Sequence, residues 1–233
     1  VTQFSSYLYG FGGDFIKDGK CVIDSPEAVD AIKYYGKLLN NYGPPGVINM
    51  SWPQAVALFA SGKVAMYTDA SVMLANMTKP EDSKIVGKIG VAPFPAGPKG
   101  QKPYMVTSWA LAISSNSQNK DAAWEFIKWS TNRDNMIKGQ LNGVSQTRNS
   151  VWSDSSVTEK LLPGFEEVSK LSAQLGVPYD RPVMTAVGEA RDAIGSVIVK
   201  SITSAGTDDI AALAKEAAAK VNVMLEEAGE GPQ

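Results

Sequence analysis

Asp69 and Ser71 stand two residues apart at the end of Gly62-Lys63-Val64-Ala65-Met66-Tyr67-Thr68-Asp69-Ala70-Ser71. Gly62 ends one helical run, Val64-Ala65-Met66-Tyr67 has the make-up of a short buried strand, and Asp69-Ala70-Ser71 opens a helix. That order puts both side chains at the carboxyl end of a strand, where open α/β sheets hold small ligands. A carboxylate there can accept hydrogen bonds from two neighbouring hydroxyls of a polyol or sugar, while amides at the helix start donate to a third. The competing reading makes Asp69 a plain N-cap.

Two more residues have the chemistry to join them. Trp109 alternates with small residues in Thr107-Ser108-Trp109-Ala110-Leu111-Ala112-Ile113, a strand period, and its ring could stack on the C–H face of a sugar or pack in a core. Arg148, in the loop Gly143-Val144-Ser145-Gln146-Thr147-Arg148, could hold paired hydroxyls with its planar fork or pair with Asp154. Trp52, Trp124, Trp129 and Trp152 are weaker stacking candidates, and the helix bearing Trp124 and Trp129 has a core-like pattern.

The run Tyr9-Gly10-Phe11-Gly12-Gly13-Asp14-Phe15 invites a phosphate-loop reading, which its context removes. Such a loop needs a strand before it and a helix after it, whereas the polar turn Ile16-Lys17-Asp18-Gly19-Lys20 follows here. Two uses of the glycines remain: a tight turn packed by aromatics, or a ligand lip formed by Tyr9 with the Gly12-Gly13 backbone.

Composition narrows the chemistry further. The 233 residues include no histidine and a single cysteine, Cys21, so Ser–His or Cys–His catalysis and Cys/His zinc sites are excluded, as is an intrachain disulfide. No EF-hand spacing of carboxylates occurs, and no metal or cofactor is expected. The balance of 22 basic against 24 acidic side chains gives no electrostatic reason to expect nucleic acid or an anionic membrane as partner. Glu166/Glu167 and Glu226/Glu227 are neighbours on helices and diverge by about 100°, so neither makes a hydrolytic pair.

The positioning elements are mostly helices. Turns and short strands are expected through Cys21-Val22-Ile23, and then a helix capped by Ser25 with Pro26 first, ended by Gly43-Pro44-Pro45-Gly46. Ser51-Trp52-Pro53-Gln54 opens a short helix with Val56 and Phe59, and Ile89-Gly90-Val91 reads as a strand. Asn119 caps a helix with Ala123, Phe126 and Ile127, and a second runs over about 134–141. The stripe Val187, Ala190, Ile194, Val197, Ile198, Ile202 ends at Gly206; Thr207 is expected to cap a last helix with Ile210, Leu213, Ala217, Val221 and Leu225 inward, before a frayed tail from Gly229.

Taken in order, these motifs resemble the extracellular solute-binding proteins of ABC sugar importers, the maltodextrin-binding-protein-like family. The resemblance rests on a GG turn before DSPEAVDAIKYYGKLL, W-x6-F-x2-GKVAM with D-x-S, KIGVAPFPAGPKG, a W-x-LAI strand, SQNKDAAWEFIKW and a Gly-then-Arg loop. YGFGGDF and GKVAMYTDAS lean towards its sugar-alcohol branch. It implies an α/β, periplasmic-binding-protein type II-like fold, mainly the carboxy-terminal lobe with most of the amino-terminal lobe absent before Val1. Residues 1–104 would begin the carboxy-terminal lobe, 105–150 belong to the amino-terminal lobe, and 151–233 complete the carboxy-terminal lobe. It further implies a non-enzymatic receptor that closes an interlobe cleft on a sugar or polyol and delivers it to an ABC permease. The protein would sit in the periplasm or outside the cell, membrane-associated in Gram-positive organisms. Tyr9, Gly12, Gly13, Asp69, Ser71, Trp109 and Arg148 would carry the ligand contacts. Sheet edges left open by the absent lobe would favour a dimer. A carbohydrate-active enzyme and a non-transport sugar sensor are the alternatives.

Overall fold

In a computed structural model of this chain, which describes residues 1–104 and 109–232, the segment expected to hold turns and short strands opens with a helix, α1 (Thr2–Phe11). Phe4 and Leu8, four residues apart, are its buried spine, but Ser5, Ser6 and Tyr9 are buried beside them. A helix buried on most sides loses the one-faced period by which sequence betrays it. Gly12 ends α1 in the left-handed region (φ 90°), its N–H directed at the carbonyls of Leu8 and Tyr9.

A two-residue hairpin follows. β1 (Ile16–Lys17) pairs antiparallel with β2 (Lys20–Cys21), Ile16 opposite Cys21 and Lys17 opposite Lys20. Asp18 and Gly19 turn it, both with positive φ (51° and 73°), as a two-residue turn of this hand requires. The Cys21 N–H donates to Asn222 Oδ1 at 2.8 Å, tying the hairpin to the last helix.

The Ser25-Pro26 start acts as expected. α2 (Pro26–Tyr42) begins with the Ser25 side chain accepting from the Ala28 N–H and ends at Gly43. Beyond it lie α3 (Trp52–Ala60), the one-turn α4 (Ala75–Thr78), α5 (Lys120–Ser130), α6 (Arg133–Leu141) and the one-turn α7 (Asn149–Trp152) and α8 (Ser155–Thr158). The chain finishes through α9 (Phe165–Leu175), α10 (Val187–Thr203) and α11 (Ile210–Glu227). Asp209, not Thr207, caps α11, its carboxylate accepting from Ala212 N–H at 3.1 Å; Thr207 Oγ1 instead donates to the Ser204 carbonyl. In the tail, Glu230 takes the Thr185 N–H and hydroxyl.

The chain divides into two units by packing. Unit 1 comprises Val1–Trp52, Pro93–Val106 and Ser172–Gln233, and unit 2 comprises Pro53–Ala92 and Thr107–Leu171. The lobe boundaries expected at 104/105 and 150/151 concern a complete two-lobed protein and remain a proposal from the resemblance. Unit 1 holds the larger core: Phe4, Leu8, Phe15, Ile23, Ile32, Ile194, Ile210, Val221 and their neighbours. At the crossing of α2 and α10, a Cβ on Gly36 would lie 2.5 Å from the Ser201 carbonyl oxygen, so only glycine admits this approach. The Ser201 hydroxyl donates across it to the Ile32 carbonyl at 2.8 Å.

Unit 2 is different. Its buried cluster is small, Met136, Val151 and Val157 with Ile137 and Leu161 against them, and its expected strands do not form. Residues 64–67 and 89–91 carry no strand, nor do 109–113; Thr107 and Ser108 lie outside the described residues. Among the described residues no neighbouring strand offers these runs the backbone partners a ladder needs. Met66, Leu111, Trp124, Phe126 and Trp129 are exposed accordingly, which corrects the core-like reading of α5.

Candidate functional site

The YGFGGDF run is the end of a helix and its cap, and its glycines serve packing inside unit 1. The Gly97-Pro98-Lys99-Gly100 turn docks on it: the Lys99 N–H donates to the Gly10 carbonyl at 2.9 Å, and a Cβ on Gly97 would lie 2.3 Å from the Gly10 oxygen. Gly13 is buried, and a Cβ there would lie 3.1 Å from the Ala28 backbone. Tyr9, 6% exposed, is a core residue whose ring meets Phe15 and Tyr179 edge-on. Of the three expected lip residues, only Gly12 is exposed.

Asp69, Ser71, Trp109 and Arg148 belong to unit 2. Asp69 accepts from the Ala70 N–H at 2.7 Å and from the Tyr67 hydroxyl, so both its oxygens are engaged close by in the chain. The residue before the short helical turn Ser71–Leu74 is Ala70, so Asp69 is not the cap in the usual position. Ser71 is exposed. Trp109 is 97% exposed and presents its whole ring. Arg148 does not pair with Asp154; its Nη2 donates to the Thr131 carbonyl at 2.9 Å and its Nε approaches Met136 Sδ at 3.3 Å. Asp154 pairs with Arg133 instead, and the hydrogen bonds it accepts from Ser156, with the Arg133 charge adding to them, hold its carboxyl below the usual range. The loop leading to Arg148 lies against α4, with Gly143 so near Ala75 that a Cβ would sit 2.2 Å from the Ala75 Cβ. That contact brings the Arg148 loop and the helical turn after Asp69 into one neighbourhood.

A second polar group, in unit 1, went unnoticed in the sequence. Tyr179 Oη donates to Asp14 Oδ2 at 3.3 Å, and Asp14 Oδ1 takes the Phe15 N–H at 2.7 Å. Burial pushes the Asp14 carboxyl above its ordinary range despite those bonds. Asp180, 5% exposed, receives Arg181 Nε and Nη2 at 2.6 Å each and Thr2 Oγ1 at 2.9 Å. Burial pushes Asp180 up, and the Arg181 and Thr2 bonds reverse this, leaving its carboxyl below the usual range. The adjacent opposite charges of Asp180-Arg181 look like solvated loop in sequence, so nothing nominated them. Cys21 is buried, and burial pushes its thiol up to about 11, an unreactive form at neutral pH. Among the described residues no cluster of side chains could hold a metal ion.

The sequence signature of the bacterial extracellular solute-binding proteins matches residues 2–137. An erythritol/L-threitol-binding protein of Mycolicibacterium smegmatis is 31% identical over 134 residues, 56% of this chain and 28% of that protein. A mannitol-binding protein of Pseudomonas aeruginosa is 38% identical over 103 residues, 44% of this chain and 24% of that protein. A solved solute-binding protein from Agrobacterium radiobacter in complex with ribitol superposes with a TM-score of 0.82 at 28% identity, over 95% of this chain and 55% of that one. This chain therefore spans about half the length of the solved structure it matches.

Proposed function

Because the chain belongs to the bacterial extracellular solute-binding proteins, we propose that it is the receptor of an ABC importer, taking up a sugar alcohol or sugar and delivering it to a permease. The observation that carries this reading is the agreement of relatives and fold. Two relatives more than 30% identical are named for tetritols and mannitol, and the ribitol complex matches nearly the whole chain. A polyol is the narrower choice within it. The family is one of binding proteins, not enzymes, and the absence of histidine removes the commonest general base. The family description makes the protein extracytoplasmic; membrane attachment in a Gram-positive host is the finer proposal.

Trp109 is proposed to stack on the carbon chain of the ligand, with Asp69, Ser71 and Arg148 for its hydroxyls. What supports Trp109 is its bare ring, since a large apolar face left in water is a common mark of a binding surface. The contacts already held by Asp69 and Arg148 would have to be shared with a ligand or exchanged for it. A thermal-shift panel on the full-length protein tests the reading. A cognate polyol at a hundred times its Kd adds about 2.7 kcal/mol to stability. Stabilisation by amino acids or peptides but by no sugar or polyol would contradict it.

A further inference from the structure

Gln140, near the end of α6, is a polar side chain almost closed off from water at 6% exposure. A buried amide of this kind calls for a partner that repays its desolvation. Its Oε1 accepts from the Gln146 N–H at 2.9 Å, and the Gln146 carbonyl accepts from Trp152 Nε1 at 2.7 Å. Side chains thus grip both backbone groups of one loop residue. The Gln146 side chain turns back to donate to the Val144 carbonyl at 2.7 Å and lies over Gly139, where a Cβ would come 2.7 Å from its Nε2. The Gly143 and Val144 N–H groups donate to the carbonyls of Gln140 and Gly139 at 3.0 Å each.

A surface loop can leave its backbone groups to water. This one is fastened instead, and two residues beyond the grip stands Arg148, which is exposed. Its Nη2 donates to the Thr131 carbonyl at 2.9 Å, just past the end of α5, where the helix dipole favours a cation. Its Nε faces Met136 Sδ at 3.3 Å. The guanidinium is therefore held along its Nε–Nη2 edge, while Nη1 makes no hydrogen bond among the described residues. Trp152, a weaker stacking candidate in the sequence, has its ring centroid 6.1 Å from that of Phe165 and its N–H on the loop, so it serves the loop.

We propose that Gln140 and Trp152 are positioning residues for polyol binding. By clamping Gln146 they keep the Arg148 guanidinium in one orientation, so that a ligand hydroxyl meets a donor already in place and binding does not have to order the loop first. Neither residue touches the ligand; both act through Arg148. This rests on the polyol reading above and on the part Arg148 has in it, and adds the residues on which that part depends.

The test is calorimetry of ribitol and mannitol binding to the full-length protein, well below its melting temperature. The variants are Gln140→Met, Trp152→Phe, Arg148→Ala, and each of the first two combined with Arg148→Ala. Methionine keeps the length of Gln140 without its acceptor, and phenylalanine keeps a ring against Phe165 without the N–H. Each of these two single variants is expected to weaken polyol binding roughly five- to tenfold. In the Arg148→Ala background each should change Kd by less than about twofold, because the residue it positions is gone. A purely structural role would weaken both backgrounds alike, and that result would overturn the proposal. Wild-type affinity in both Gln140→Met and Trp152→Phe would overturn it while the polyol reading stood. Wild-type affinity in Arg148→Ala would remove Arg148 and its two supports together. If the wild-type protein bound neither polyol, the functional reading would fail and the positioning role with it.

Discussion

Asp14 is held where a charge is poorly solvated, and its protonation has a sign that can be checked. Its folded-state carboxyl titrates above the ordinary range, chiefly through burial. Its contribution to stability is therefore fully present below the unfolded-state value and lost as pH rises through the folded one. Asp14→Asn should raise the melting temperature near neutral pH and leave it unchanged in acid. Thermal melts at about pH 7 and pH 3 give the comparison. Asp180 has the opposite sign: its carboxyl is depressed, so the support it gives is present above the unfolded value and lost as pH falls through the folded one. Trp109 belongs to a third class, exposed and touching little. Trp109→Ala should change stability by less than about 0.5 kcal/mol, yet reduce affinity for polyols if the ring stacks on ligand.

At the scale of elements, α2 and its partners show which local signals carry through folding. The Ser25 cap makes the bond its position predicts, and Ser25→Ala should cost about 1 kcal/mol in denaturant melts. Gly36→Ala should cost more, roughly 1–3 kcal/mol from overpacking against the Ser201 backbone. Gly188→Ala in α10 meets open space and should be neutral or stabilising by up to about 1 kcal/mol. The helices were legible because caps, stops and apolar stripes are local: Pro26, Gly43 and the Ile194–Ile198–Ile202 ladder declare themselves without reference to the rest of the chain. α1 was not, because burial on most of its surface erased its period. The runs at 64–67, 89–91 and 109–113 misled for the reverse reason. An apolar alternation says that a segment suits a strand, and only a distant partner can make it one. The glycines of YGFGGDF announced backbone constraint correctly, but what Gly10 and Gly12 admit is the Gly97–Gly100 turn, a contact across almost ninety positions of sequence that no local pattern encodes. Tyr179, Asp180 and Arg181 escaped notice for the same reason, since their meaning lies in Thr2, Tyr9 and Asp14.

For the whole molecule, family membership and fold agree with the reading of the motifs in order. A host strain lacking the gene should lose uptake of its cognate polyol and regain it with the wild-type gene, as expected of a receptor that serves a permease. The most direct measurement is calorimetric titration of the full-length protein with ribitol, mannitol and maltose. Saturable binding of at least one polyol, tighter than that of maltose and weakened by Trp109→Ala without loss of melting temperature, is the predicted result. Absence of binding to every polyol up to about 1 mM, with tight binding of a peptide or amino acid instead, would contradict the account.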